Sequence, residues 1–323
     1  MAERAGCDVV LTREELHYLG RYVAGEPSAC SPFHGVRPPE SLPPPALDDL
    51  VARRMLGPDG VEPTLLRTLE RLHGAEAFGG FALRGDALEN EGACFFAGRD
   101  SVALLNVAPG LRLVAPVPAG ELAALLDRAL GSGADRPLAF DLTLGLSESR
   151  VLAAAVDLLR REALGGMLEA PVGAVDEGAL AAWIARPGHA AQWLSGHLAP
   201  LLDRRGGRSP LSPRTVRPLV EQLAGRGLLV AGEEGLEAGP ALAPLVRGMM
   251  LLDRVLELRA GRAGEGDAPV IADLVLVRAD SGSLFLWEAD EGGALRWVTP
   301  TPDAAKAIAA RLLTRKDALG EAR

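Results

Sequence analysis

Apolar residues recur at two different spacings along the chain. An apolar stripe at helical spacing predicts a core-facing helix over residues 147–164. Thr12 and Glu15 have the spacing of a capping box, which predicts another helix over residues 12–24. Elsewhere, apolar and polar residues alternate in short runs that end at glycine or proline, a pattern typical of strands. The pattern as a whole predicts an α+β protein.

The sequence Leu-Arg-x-Val-x-Pro-x-Pro occurs twice, at residues 111–118 and 295–302. Each copy follows a glycine that is able to close a hairpin and precedes a segment rich in alanine and leucine, which predicts helices over residues 119–130 and 303–313. Further pairs of similar segments precede the two copies in the same order: 98–105 with 277–286, 64–72 with 240–250, and 50–56 with 223–229. Self-similarity of this kind predicts an internal duplication.

The duplication in turn predicts the domain organisation. We expect two tandem pseudo-repeats, residues 1–133 and 134–323, whose helices are winged-helix-like. Each unit is predicted to add a small antiparallel β-meander of about three strands and a closing helix. The two repeated Leu-Arg segments are expected to occupy equivalent places in the two meanders, and the proline that follows each of them ends the strand.

Charge and cysteine content narrow the possible functions. The formal net charge of −9 opposes a surface for nucleic acid, because phosphate contacts need clustered cations. Cys7, Cys30 and Cys94 are odd in number and irregularly spaced, which favours reduced thiols. The first ten residues include charged residues and lack the apolar core of a signal peptide. No apolar run reaches the roughly 18 residues of a membrane span. These features predict a cytoplasmic protein without a membrane partner, and the abundance of arginine, alanine, glycine and proline is typical of a GC-rich bacterial genome.

Residues from about 178 to 237 resemble a bacterial winged-helix domain. The segment 212–217 reads Ser-Pro-Arg-Thr-Val-Arg, in which the serine is able to cap a helix and the proline suits its first position. The resemblance implies that three side chains enter the major groove of DNA, namely Arg214, Thr215 and Arg217. Against DNA binding, Pro218 is expected to shift or kink the first turn of this helix, and acidic residues surround the predicted wing. A winged-helix transcriptional regulator is therefore the alternative function.

No pattern in the sequence indicates catalysis. The five histidines include no pair with metal-ligand spacing, and the sequence contains no GxSxG, Walker or strand-following GxGxxG motif. Paired carboxylates lie in polar helix starts and turns, where solvated charge is the default interpretation. We therefore predict a non-enzymatic protein with no catalytic residue, cofactor or metal, and an enzyme with an unrecognised site stays the third alternative.

Aromatic residues make up only 4% of the chain, yet three of them fall in one predicted sheet. These residues are Phe285, Trp287 and Trp297. Aromatic residues often anchor protein interfaces, so these three are the candidate partner-binding residues. The alternative is burial beneath the helices of the same unit, and solvent exposure distinguishes the two roles.

The order of elements in residues 10–130 resembles the EspG family, the cytosolic chaperones of type VII secretion. The resemblance rests on residues 50–56, a Gly-Pro-Asp-Gly turn at 57–60, a Val-Glu-Pro segment at 61–63 followed by leucines, the strands, and residues 122–130. It implies a two-lobed, pseudo-twofold α+β fold and the capture of a helical secretion substrate.

The leading functional prediction is therefore a partner-binding adaptor or chaperone, with a secreted or toxin-like protein as a candidate partner. The partner is expected to be another protein rather than nucleic acid. The sequence leaves the oligomeric state and the binding surface open.

Overall fold

The computed structural model describes residues 6–85, 88–98, 100–117, 124, 126–128, 130–131, 140–167, 173–186, 192–204, 206, 210–263, 270–279, 281–289 and 294–313. Its helices are α1 (Arg13–Gly20), α2 (Pro44–Ala52), α3 (Pro63–His73), α4 (Leu146–Met167), α5 (Glu177–Ala185), α6 (Leu194–Arg204), α7 (Pro213–Gly225), α8 (Ala243–Gly248) and α9 (Pro302–Leu313).

Its strands in the first half of the chain are β1 (Cys7–Leu11), β2 (Leu56–Gly57), β3 (Gly60–Val61), β4 (Ala77–Gly85), β5 (Leu88–Ala97), β6 (Asp100–Val107) and β7 (Gly110–Ala115). Those in the second half are β8 (Asp141–Leu144), β9 (Leu229–Ala231), β10 (Leu236–Ala238), β11 (Leu252–Arg262), β12 (Val270–Ala279), β13 (Leu284–Ala289) and β14 (Leu295–Val298).

Ten strands form one antiparallel sheet in the order β1-β7-β6-β5-β4-β11-β12-β13-β14-β8. The strands of the first half join those of the second half at the β4–β11 pair, which runs from Arg254 opposite Gly85 to Arg262 opposite Ala77. The meanders of the two halves are therefore joined edge to edge in one sheet, and each has four consecutive strands, β4–β7 and β11–β14, rather than about three. The first long strand of each half uses its free edge to pair with its counterpart, so that both edges at the centre are satisfied.

The repeated Leu-Arg segments form β7 and β14, and each lies second from an edge of the sheet. In β7, Arg112 donates two hydrogen bonds, of 2.8 and 2.7 Å, to the carboxylate of Asp8 in the outermost strand β1. In β14, Arg296 binds Asp141 of the other outermost strand, β8, in the same way at 3.0 and 2.6 Å. Each arginine side chain lowers the pKa of its aspartate by hydrogen bonding. The short strands β1 and β8 are absent from the sequence-based prediction.

Helices cover the two faces of the sheet unequally. Those of the first half pack on β1 and β5–β7 through a core that includes Leu69, Phe95 and Leu113, and α4 to α8 pack on β11–β14 through Leu152 and Trp287. Both groups lie on the same face. The opposite face packs against α9 and the helical residues near position 126. The predicted helix over 119–130 lies partly outside the described residues.

Most predicted helices agree with the structure in position. Thr12 and Glu15 form both hydrogen bonds of the capping box at the start of α1, which ends at Gly20, four residues before the predicted end. The predicted helix over 147–164 is α4. The described residues between 177 and 238 form α5, α6 and α7 followed by the antiparallel β9–β10 hairpin, and α7 continues through Pro218, which does not interrupt it.

Candidate functional site

A cleft of about 410 Å³ lies over the centre of the sheet, between the two groups of helices that share this face. Its floor is formed by β4, β5, β11 and β12. One wall is the loop at residues 29–31, and the other is α6, which contributes His197 and Arg204. The cleft exists because the two groups of helices leave the middle of β4 and of β11 uncovered, around Gly80 and Arg259.

Small residues form the middle of the floor. Gly80 of β4 lies between Ala93 of β5 and Arg259 of β11, and the next residue on this face, Ala82, is half-buried between two glutamates. A methyl group added at Gly80 would meet only ordinary contacts, the nearest being 3.6 Å from the carbonyl oxygen of Arg259. A partner's main chain is therefore able to approach the sheet closely here.

The side of the cleft that is formed by the second half of the chain carries interacting charges. Glu257 Oε1 lies 3.4 Å from His197 Nδ1 and 3.9 Å from Arg84 Nη1. Burial acts to raise the pKa of Glu257, but the hydrogen bond to His197 and the positive charges of Arg84 and Arg204 outweigh it and lower the pKa below its ordinary value. The carboxylate is therefore ionised at neutral pH.

A more deeply buried acid lies on the neighbouring strand, β12. Asp273 of β12 is only 2% exposed and binds Arg204 Nη2 at 2.9 Å, with Arg259 Nε at 3.8 Å. Both arginines are partly exposed, so their outer atoms are available to a partner. This side of the cleft therefore presents two arginine side chains, and the buried carboxylate of Asp273 holds both of them in position.

The opposite wall of the cleft, the loop at residues 29–31, is held by hydrogen bonds to the helices of the first half of the chain. Ser28 donates its backbone N–H to the carbonyl of His73 at 2.9 Å and its hydroxyl to the carbonyl of Ala75 at 2.5 Å. These bonds tie the wall at residues 29–31 to the end of α3. On the floor nearby, Glu91 is exposed and accepts a 2.8 Å hydrogen bond from the side-chain amide of Asn106.

A buried carboxylate in α4 fixes the opposite wall. Asp157 is fully buried and accepts hydrogen bonds from the backbone N–H of Leu194 at 2.9 Å and of Ser195 at 2.8 Å, which are the first two residues of α6. The Ser195 hydroxyl and Arg160 donate to the same carboxylate at 2.6 and 3.1 Å. Asp157 thus caps the N-terminus of α6 from a neighbouring helix. The sequence analysis missed it, although a charged pair at i and i+3 within an apolar stripe is a visible signal.

The predicted partner-binding aromatic residues lie in the core. Phe285, Trp287 and Trp297 are each 1% exposed and pack beneath α4 to α8. The rings of Trp287 and Trp297 meet edge to face at 5.4 Å, and Trp297 Nε1 donates to the Ser149 hydroxyl at 3.2 Å. Their burial leaves them without the exposed area that a contact anchor needs and fits the alternative role. The structure instead draws attention to the cleft, whose residues the sequence analysis did not identify.

The residues of the DNA-binding alternative lie on α7, away from the cleft. Arg214, Thr215 and Arg217 are exposed. Thr215 forms a capping box with Ser212, and Arg217 Nε lies 3.4 Å from a carboxylate oxygen of Glu177 in α5. Thr215 therefore has a local structural role, and Arg217 already has an anionic neighbour.

Other kinds of site receive no support from the described part of the chain. Within it, no three His, Cys, Asp or Glu side chains are grouped so that they hold a metal ion. The three cysteines are buried and form no disulfide bond, and burial raises the pKa of the Cys7 and Cys30 thiols. Among the described helices, none has both the length and the apolar character of a membrane span.

Comparison with known proteins gives a likeness of fold. No protein-family model and no curated protein matches the sequence. The chain is similar to the type VII secretion system chaperone EspG5 of Mycobacterium tuberculosis, whose structure was solved in complex with the PE25–PPE41 dimer. The match covers 96% of each chain with a TM-score of 0.50 and 13% sequence identity. At this identity the match supports the EspG-like fold that the sequence resemblance implies, and it extends over both halves of the chain.

Proposed function

We propose that this chain is a non-enzymatic chaperone or adaptor that binds another protein in the central cleft. The observation that carries the proposal is the open floor over Gly80, Ala82 and Ala93, at the centre of a sheet that helices otherwise cover on this face. The full-length likeness to EspG5, a chaperone solved with a protein dimer bound, supports a protein as the occupant.

The cleft suits a helical segment better than an extended strand. Both strands that cross its centre, β4 and β11, are hydrogen-bonded on both sides, so the floor offers no free strand edge to an extended peptide. A helix is about 10–12 Å across with its side chains, and small residues on the floor let it approach. The charged side chains of Arg84, Arg204 and Glu91 would then orient it at the rim.

We also propose that the chain consists of two pseudo-repeats, residues 1–133 and 134–323. The sheet order supports this proposal, since reading inward from either edge gives a short outer strand, then a Leu-Arg strand, then the rest of a meander. The matching pairs of Arg112 with Asp8 and Arg296 with Asp141 support it further. On this basis the cleft lies on the pseudo-twofold axis that relates the units.

We assign the chain to the cytoplasm, where it would hold a secreted or toxin-like partner before release. Buried cysteines that form no disulfide bond are compatible with a reducing compartment. The winged-helix order of residues 177–238 is retained as a structural proposal only, because no observation favours DNA as the ligand.

Affinity capture from the native bacterium tests the proposed function. Ala82→Trp fills the cleft floor with a large side chain, whereas Arg217→Ala changes an exposed residue of α7 and serves as the control. We expect a discrete protein to be retained by the wild type and the control but lost with Ala82→Trp. Equal retention by all three chains would contradict the proposed cleft. A circular dichroism melt of each variant shows whether it is folded.

A further inference from the structure

The outer strands of the ten-stranded sheet, β1 and β8, each have one edge that pairs with no other strand among the residues that the structure describes. Exposed edges are templates for pairing with another chain, and natural proteins protect them with charged side chains among other devices. In an antiparallel strand, successive residues direct their backbone groups to alternate sides. At both edges of this sheet, an outward carbonyl is bound by an arginine.

At the first edge the arginine is Arg53, the residue that ends α2. Its Nη2 donates to the backbone carbonyl of Val10 in β1. Its Nη1 donates to the carboxylate of Asp49 at 2.9 Å. The guanidinium is therefore held between a carboxylate of its own helix and the edge of the strand.

At the second edge the arginine is Arg226, the residue that ends α7. Its Nη1 donates to the backbone carbonyl of Thr143 in β8 at 3.2 Å, and its Nη2 lies 3.5 Å from Glu148. Glu148 also accepts a 2.9 Å hydrogen bond from the backbone N–H of Gly145, where β8 leads into α4. Again a carboxylate holds the guanidinium against the edge of the strand.

The two contacts occupy the same position in the two halves of the sheet. Val10 lies opposite Arg112 in the β1–β7 pair, and Thr143 lies opposite Arg296 in the β8–β14 pair. The bound carbonyls are therefore those opposite the arginine of each Leu-Arg segment. Each capping arginine also ends the helix that precedes a small hairpin, β2–β3 or β9–β10. The same contact therefore occurs at equivalent positions of both halves, although the supporting carboxylate differs, Asp49 in one and Glu148 in the other. Such a recurrence distinguishes it from an incidental surface pair.

We infer that the edges of β1 and β8 are latent self-association surfaces and that Arg53 and Arg226 close them against a second copy of this chain. A second copy is the natural occupant because an antiparallel strand pairs with its own twofold-related copy through one shared patch. Each arginine donates a hydrogen bond to an outward carbonyl that pairing with a second strand would use, and it places a positive charge at the edge. Two copies approaching by the same edge would also bring two like charges together. The inference is independent of the proposed function.

The number of open edges determines the assembly that each variant is expected to form. Arg53→Ala or Arg226→Ala opens one edge, so the weight-average mass relative to wild type should rise toward twofold with concentration and stop there. The double variant opens both edges, and its mass should exceed twofold because each copy then joins two others. Arg67→Ala and Arg214→Ala remove exposed arginines away from either edge and should leave the mass at the wild-type value.

Sedimentation velocity over a hundredfold concentration range provides the measurement, with circular dichroism to confirm folding. A double variant that is folded and has the wild-type mass at every concentration would overturn the inference. So would equal self-association of the control variants. Arg53→Met and Arg226→Met keep the aliphatic part of each side chain and repeat the comparison if the alanine variants unfold, with Arg67→Met and Arg214→Met as their controls.

Discussion

Replacing Trp287 with alanine should destabilise the protein by removing a central part of the second core. The side chain is 1% exposed and contacts the rings of Trp297 at 5.4 Å and Phe285 at 6.4 Å. Truncation of a buried aromatic residue to alanine typically costs about 3–5 kcal/mol. Within the described part of the chain, no group accepts a hydrogen bond from Trp287 Nε1, and an unsatisfied buried donor costs about 1–3 kcal/mol. Its removal offsets part of the loss, so we expect a net destabilisation of about 3 kcal/mol.

The two tryptophans provide a matched control, because they are equally buried but differ in hydrogen bonding. Trp287→Phe removes the unsatisfied donor and keeps most of the ring contacts, so its net effect should stay within about 1 kcal/mol. Trp297→Phe removes the 3.2 Å bond to the fully buried Ser149 and should cost about 1–3 kcal/mol.

Thermal and urea unfolding followed by circular dichroism measure these differences. At about 2–4 °C per kcal/mol for a large domain, Trp287→Ala should lower the melting temperature by about 6–12 °C. A shift below about 2 °C would refute the core role of Trp287 and reopen a contact role. A larger loss for Trp287→Phe than for Trp297→Phe would refute the reasoning from hydrogen bonding.

Other perturbations address the cleft walls and the alternative function. Asp157→Ala removes one partner of the buried Asp157–Arg160 ion pair together with the cap of α6, and breaking a buried pair in this way should cost about 3–5 kcal/mol in urea unfolding. Since the pKa of Glu257 is lowered in the folded state, its stabilisation is present above the ordinary value of 4.5 and is lost as pH falls through the lower folded pKa. Glu257→Gln should therefore be less stable than wild type at pH 7, with the difference shrinking as the pH falls below 4.5. Changing Arg214 and Arg217 together to alanine should leave partner capture intact, and a sequence-specific DNA gel shift abolished by that pair would contradict the protein-binding proposal.

Local elements were predictable because their signals lie within short segments. The Thr12 and Glu15 capping box needs only its own turn, and the apolar stripe of α4 needs only its own periodicity. The two Leu-Arg segments were recognisable as strands because a glycine precedes and a proline follows each of them. Features of this kind do not depend on which element packs against them.

Pairing between the halves was not predictable in the same way. Alternation in β4 and β11 shows which residues share a face, but it does not show which strand lies beside them. The outer strands β1 and β8 have five and four residues, too few for a clear pattern. The cleft arises from the gap between the two groups of helices over the middle of β4 and β11, and that gap is a property of the whole fold. Asp157 acts on α6 from 37 residues away, so its role appears only in the fold.

Site-specific photocrosslinking in native cells reports directly on whether a protein occupies the cleft. A photoreactive phenylalanine analogue in place of the exposed Glu91 places the reactive group at the rim of the cleft without filling its floor, and the same group in place of Arg214 serves as the exposed control. The proposed function predicts a discrete protein crosslinked from position 91 and none from position 214. No protein crosslinked at 91, or the same set crosslinked at both positions, would contradict it.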